Sequence, residues 1–221
     1  MSSRLVKRGV FEEIEDEAND LKLFAEIQNS LTQTKAQPAF GNPAAVGLGA
    51  FGATTILLQF HNLGLIGTGA VIWLAFFFGG LAQFIAGLQE FRTGNNFGSA
   101  AFVTYGAFWI ALGGIFLSNQ MGLFDITGVD VGWFLVVFTG LTAIYFIGSL
   151  KQNSIMAWVF LTLFIGFILL DIGHLVPGAA VFNKIAAVEL IVCALLAWYL
   201  MAHVILTPLL IKVPTGKAWI R

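Results

Sequence analysis

Six runs of apolar residues follow one another along the chain: Pro43–Phe60, Thr68–Leu88, Phe97–Ser118, Val131–Ile147, Ile155–Leu170 and Ile185–Leu206. Each is close to the roughly 20 apolar residues that an α-helix needs to cross a hydrocarbon core. The links between them are short and polar or glycine-bearing: "HNLGLIG", "QEFRTGNN", "NQMGLFDITGVD", "GSLKQNS" and "DIGHLVPGAAVFN". None is long enough to hold a separate domain. The pattern therefore predicts an all-α polytopic membrane protein, one bundle of six transmembrane helices over residues 42–206. A tail of residues 1–41 precedes the bundle and a tail of residues 207–221 follows it.

The first tail has its own period. Phe11, Ile14, Ala18, Leu21, Phe24 and Leu31 recur near helical spacing while the intervening positions are acidic, which predicts an amphipathic helix. It reads as a solvated or interfacial segment, with gating or partner binding as the functional alternative. It is not basic and then apolar, so no cleavable signal peptide is expected.

Composition sharpens this picture. The 221 residues are 58% hydrophobic and 10% charged, against about 25% charged in an ordinary soluble domain. Most of the surface therefore faces lipid. A net charge of -1 carries no nucleic-acid signal, and the single cysteine, Cys193, excludes an internal disulfide framework. The basic residues fix an orientation. With the N-terminus in the cytoplasm, the inner segments hold Arg4, Lys7, Arg8, Lys22, Lys35, Arg92, Lys151, Lys212, Lys217 and Arg221, and the outer links hold only Lys184. That asymmetry predicts a multi-pass protein of the cell membrane with both termini cytoplasmic.

The first run opens as "GNPAAVGLGAFGATT". Asn42 suits a helix cap and Pro43 the first helical turn. The alanines and glycines that follow leave the helix thin. Two readings are open: close packing against neighbouring helices, or a helix that lines a path. Polar uncharged residues sit inside the apolar runs, among them Thr54, Thr55, Gln59, Gln83, Thr104, Tyr105, Thr139, Thr142 and Thr162. Threonines bond back to their own helix, but the amide of Gln83 must meet another helix or a wet cavity.

Ionisable groups are nearly absent from the runs. Glu189 falls in the first turns of the sixth, where a carboxylate suits the helix N-terminus. Glu90 and Arg92 end the second and are placed to pair. His61 and His174 fall in links, and His203 near the end of the last run. No paired carboxylates, nucleotide loop or nucleophile elbow is present, and no metal-ligand cluster, so neither an enzyme nor a cofactor or metal site is expected.

Two stretches carry a family resemblance. "NPAAVGLGAFGATTILLQFHN" resembles the signature region of the acetate uptake transporter family, which includes the succinate–acetate permeases, whose first helix opens Asn-Pro-Ala-Pro-Leu-Gly-Leu. Asn42, Pro43, Ala44, Gly47 and Leu48 match, while Ala45 and Val46 depart. "FFFGGLAQFIAGLQEFRTGNNFGSAAFVTYGAFW" is similar to that family's second and third helices. The resemblance covers Asn42 to about Leu206. It implies a six-helix protomer with its own path, assembled as a homohexamer. It implies passage of acetate and related small carboxylates, succinate among them, by proton-coupled symport or channel-like flow. It also implies a hydrophobic constriction of Phe51, Tyr105 and Leu163.

Spacing is consistent with that ring: each of the three residues lies eight positions into its run, roughly 12 Å deep at 1.5 Å per residue. Gln83 falls just below. Asn42, Thr54, Thr55, Gln83 and Tyr105 are the candidate donors that would offset a carboxylate's lost hydration. No ionisable residue is expected at ring depth. A coupled proton therefore travels with the acid, or Glu90 or His61 relays it. The alternatives are a channel for small neutral solutes and a non-conducting membrane scaffold or sensor.

Overall fold

The computed structural model describes residues 19–28 and 41–220. The chain divides into two units, Met1–Gly41 and Asn42–Arg221. In the first, residues 19–28 are helical and exposed, including Leu21 and Phe24. Phe11, Ile14, Ala18 and Leu31, which define the predicted amphipathic face with them, lie outside the described residues.

The second unit contains six helices: α1 (Ala44–Asn62), α2 (Gly69–Arg92), α3 (Asn96–Met121), α4 (Gly128–Ser149), α5 (Ser154–Leu175) and α6 (Val181–Leu206). All six are long and apolar enough to cross a membrane. No strand occurs among the described residues. The starts follow from local chemistry. Asn42 Oδ1 accepts from the Ala44 N–H at 3.0 Å. Asn95 and Asn153 cap α3 and α5 through the N–H groups of Gly98 and Met156. Thr127 and Asp130 form a reciprocal capping box on α4. Gly122 closes α3 at φ 65°, a left-handed conformation that glycine adopts without penalty.

The runs read from the sequence and the helices differ most at the link between α5 and α6. α5 continues to Leu175 and α6 already begins at Val181. Asp171 and His174 are therefore helical residues and not link residues. Asp171 ends a polar contact with α4, accepting from Thr139 Oγ1 at 2.7 Å, so its charge does not terminate the helix. The turn falls instead at Pro177 and Gly178, where φ is +80°.

The helices pack in a closed cycle, α1 on α2, α2 on α3, α3 on α4, α4 on α5, α5 on α6 and α6 on α1. Two kinds of side chain build its two sides. Around α1 the glycines admit neighbours: Gly47 faces the Phe102 ring of α3, Gly49 the Met201 sulfur of α6, and Gly52 the Trp198 ring of α6. The Trp198 indole N–H then donates to the Gly49 carbonyl at 3.2 Å. Across α3 and α4 large aromatics fill the gap. Phe108 lies against Phe134 and Phe138, with centroids 5.4 and 4.8 Å apart. α2 changes winding in its middle, with π-helical turns over Ala75–Ala82. There Gly79 passes Thr54 so closely that a Cβ would meet the threonine side chain.

Beyond α6 a 3₁₀ turn, Thr207–Leu209, leads into a C-terminal segment that folds back on α5 and α6. Ser154 Oγ donates to the Lys217 carbonyl at 2.6 Å, Tyr199 Oη to that of Pro214 at 2.8 Å, and Trp219 stacks edge-on to Trp158. The tail expected over residues 207–221 is thus pinned, over its described part, to the ends of these two helices.

Candidate functional site

Inside the cycle lie two chambers. The lower one, about 80 Å³, sits among the N-terminal ends of α1, α3 and α5 and is lined by Ala44, Leu48, Gln83, Asn95, Phe102 and Gln152 among others. The upper one, about 240 Å³, opens toward their C-terminal ends and includes Thr55, Gln59, His61, Trp109, His174 and Leu190. Three residues line both chambers: Phe51, Tyr105 and Leu163. They stand where one chamber gives way to the other. The Phe51 and Tyr105 rings meet edge to face with centroids 5.8 Å apart, and all three side chains are buried.

The lining follows helical period. On α1 it runs Ala44, Leu48, Phe51, Thr55, Leu58, Gln59 and Asn62, with His61 beside it at the helix end. That is one stripe of the helix. The glycines at 47, 49 and 52 lie off it, against Phe102, Met201 and Trp198. Packing and chamber lining therefore fall on different faces of the first helix. Its glycines at 47, 49 and 52 serve packing, and the stripe that includes Leu48, Phe51 and Thr55 faces the chambers.

The expected donors separate in space. Thr55 lines the upper chamber and Gln83 the lower. Thr55 Oγ1 and Gln83 Oε1 are buried with no hydrogen-bond partner. Thr54 lines neither chamber. Its hydroxyl is equally unpartnered but faces α2 at Gly79, which makes it a packing residue and corrects the expectation. Asn42 is exposed and lines neither chamber, and its Oδ1 accepts the α1 capping bond. Tyr105 lines both chambers, yet its hydroxyl proton is committed. The Thr142 hydroxyl donates to the Phe138 carbonyl at 2.6 Å, so across the 2.8 Å contact it is Tyr105 that donates to Thr142. The phenol is a rigid wall and an acceptor, not a free donor.

The proposed relay residues are also apart. His61 lines the upper chamber, with Nδ1 at 3.1 Å from the Ile66 carbonyl and its ring against Phe116. Glu90 is buried, 2% exposed, and lines neither chamber. Its partners are not Arg92, as the sequence suggested, but Asn95, whose amide donates to Oε2 at 2.7 Å, and more weakly the Thr93 hydroxyl at 3.5 Å. The turn after Arg92 brings Asn95 back over Glu90, and Asn95 also lines the lower chamber. Arg92 itself is exposed.

One residue escaped the sequence reading and another was placed too near the start of its helix. Trp109 lines the upper chamber, and its indole Nε1 is buried without an acceptor. It lies one turn past Tyr105, so a helical stripe drawn from Tyr105 would have reached it. Glu189 does not sit at the start of α6. The helix begins at Val181, which carries Glu189 two turns into it, beside Gly166 of α5. Gly166 is three residues beyond Leu163, roughly 4.5 Å along the axis. Glu189 thus stands about one turn beyond the ring, closer to it than its place in the apolar run suggested.

Six membrane-crossing helices around two chambers that meet at three apolar or aromatic side chains define a class: polytopic helical proteins built to pass or gate a small solute. The chain belongs to the GPR1/FUN34/yaaH family, whose model matches residues 24–214. It is 40% identical over 164 residues to the succinate-acetate/proton symporter SatP of Escherichia coli K12, covering 72% of this chain and 85% of that one. It is 34% identical over 173 residues to acetate permease A of Emericella nidulans, covering 68% of this chain and 55% of that one. Among solved structures, the bacterial acetate channel SatP superposes with a TM-score of 0.76 at 36% identity, over 80% of this chain and 99% of that one.

Proposed function

We propose that this chain carries acetate and related small carboxylates across a membrane, through a path inside each protomer. The observation that supports this most directly is the sharing of Phe51, Tyr105 and Leu163 by both chambers. A solute that moves from one chamber to the other passes these three side chains. An apolar constriction excludes bulk water, and its bulk sets a size limit. It does not by itself repay the hydration of an anion.

The repayment comes on either side. In the upper chamber the Trp109 indole N–H and the Thr55 hydroxyl are buried polar groups without partners. A carboxylate oxygen supplies the acceptor that both lack, while the methyl group of acetate lies against Phe51 and Leu163. In the lower chamber Gln83 lines the wall, and its amide nitrogen is the neutral donor there. Neutral donors hold an anion loosely, and loose binding is what passage requires. The relatives' names, acetate permease and succinate-acetate/proton symporter, support the same substrate class. With the N-terminus cytoplasmic, as the basic residues indicate, the lower chamber opens inward. A homohexamer is the assembly that the resemblance implies, with one path per protomer.

Purified protein in liposomes provides the test. Uptake of radiolabelled acetate above that of protein-free liposomes, saturable and competed by unlabelled acetate, is the expected result. Uptake indistinguishable from empty liposomes, in protein shown to be assembled, contradicts the reading.

A further inference from the structure

We propose that Glu189 is an intramembrane proton-binding site, which holds a proton while a small carboxylate occupies the upper chamber. Both of its carboxylate oxygens are buried and neither has a hydrogen-bond partner. An ionised carboxylate so placed is costly, and ionisable groups inside membrane spans mark proton and substrate routes. Space for it is built into the fold. A Cβ on Gly166 would stand 2.7 Å from Oε2, so glycine at that position makes the seat for the carboxylate. The neighbouring Leu190 packs on the same glycine and lines the upper chamber. Glu189 is therefore one side chain removed from the place where the substrate waits, and one turn from Leu163.

Among the described residues no basic group neutralises it. α6 packs on α1 and α5. The titratable residues of α1 reduce to His61, which contacts the Ile66 carbonyl. Those of α5 are Asp171, bonded by Thr139, and His174, whose Nδ1 lies at 2.9 Å from the Leu170 carbonyl. On α6 itself Lys184 is exposed, and Cys193 donates to the Val159 carbonyl at 3.4 Å. Tyr199 and His203 are engaged with the C-terminal segment. Across the chamber Tyr105 is committed to Thr142.

Two negative charges a short distance apart in a poorly polarisable setting repel. A carboxylate anion in the upper chamber and an ionised Glu189 oppose each other. An anion and a neutral, protonated Glu189 do not. Binding of the anion and binding of the proton therefore favour each other reciprocally. The proton adds to one carboxylate oxygen from water in the upper chamber, passes to the anion as the anion enters the ring, and is released from the resulting neutral acid into the lower chamber, while Glu189 takes its next proton from upper-chamber water. One proton then accompanies one singly charged anion, and the cycle moves no net charge. This inference rests on the carboxylate-passing reading for its cycle, though not for the proton site itself.

The test compares wild type with Glu189→Gln, which keeps shape and removes the ionisation. Radiolabelled acetate uptake is measured in liposomes at equal pH on both sides, with a potassium-diffusion voltage imposed. Passive leak of the neutral acid does not respond to voltage and subtracts out. Wild-type uptake is expected to be unchanged by voltage, and Glu189→Gln uptake to rise several-fold when the interior is positive. In parallel, wild-type protein is treated with dicyclohexylcarbodiimide, an apolar reagent that couples to protonated carboxyls, and the peptide spanning Glu189 is read by mass spectrometry. Modification at Glu189 that declines as pH rises is expected. An unmodified Glu189 at acidic pH overturns the proton site. Voltage-driven uptake by the wild type, or voltage-insensitive uptake by the variant, overturns the coupling while leaving acetate passage intact. Absence of wild-type acetate uptake overturns the substrate reading instead, and the labelling result then decides the proton site alone.

Discussion

Trp109 and Thr55 are each buried in the wall of the upper chamber with a polar atom that no group among the described residues satisfies. A buried donor without an acceptor is a cost the fold carries, and a carboxylate relieves it. Trp109→Phe removes the indole N–H and keeps an aromatic ring. One hydrogen bond to a charged partner contributes about 1.5–3 kcal/mol, which corresponds to about a tenfold to hundredfold fall in acetate transport. Transport per assembled protein is the measurement, with thermal stability alongside. Unchanged transport contradicts the role. The sequence showed this residue only as an aromatic within a family-like block. Its consequence depends on a missing acceptor, and that is a property of three helices at once. The same holds for Tyr105, whose hydroxyl reads as a donor until Thr142 on α4 is seen to take its proton.

Among the elements, α1 separates its two jobs by face. Leu48, Phe51 and Thr55 face the chambers, and Gly47, Gly49 and Gly52 admit other helices. Gly52→Ala is expected to destabilise the bundle, because a Cβ there meets the Trp198 ring and lies 3.0 Å from the Ala194 carbonyl. Overpacking of this kind costs about 1–3 kcal/mol. A lowered unfolding temperature of the purified protein is the expected outcome, and an unchanged one contradicts close α1–α6 packing. The six helices were legible from hydropathy, because lipid forces long apolar runs. Their ends were less so. Asp171 and His174 look like link residues, yet Asp171 finds Thr139 on a neighbouring helix and α5 continues past both. The same misjudged link hid the depth of Glu189. Winding was not legible either: nothing in "AFFFGGLA" distinguishes a π turn from an α turn until Gly79 is seen against Thr54.

At the scale of the whole molecule, two chambers inside the cycle of helices meet at one shared set of side chains. α1, α3 and α5 run in the same direction and each contributes a single residue to it, Phe51, Tyr105 and Leu163. The family motif and the common depth of these residues pointed there from the sequence. The chambers on either side, and the partition of donors between them, came only with the fold. If the solute passes within the protomer, the bulk of this trio governs which acids pass. The most direct measurement is the ratio of lactate to acetate transport in Leu163→Ala and Phe51→Ala, each compared with wild type in liposomes at equal assembly. Removing bulk at the narrow place should raise that ratio several-fold in at least one variant while acetate still passes. A ratio unchanged in both well-assembled variants would contradict passage between the chambers at Phe51, Tyr105 and Leu163.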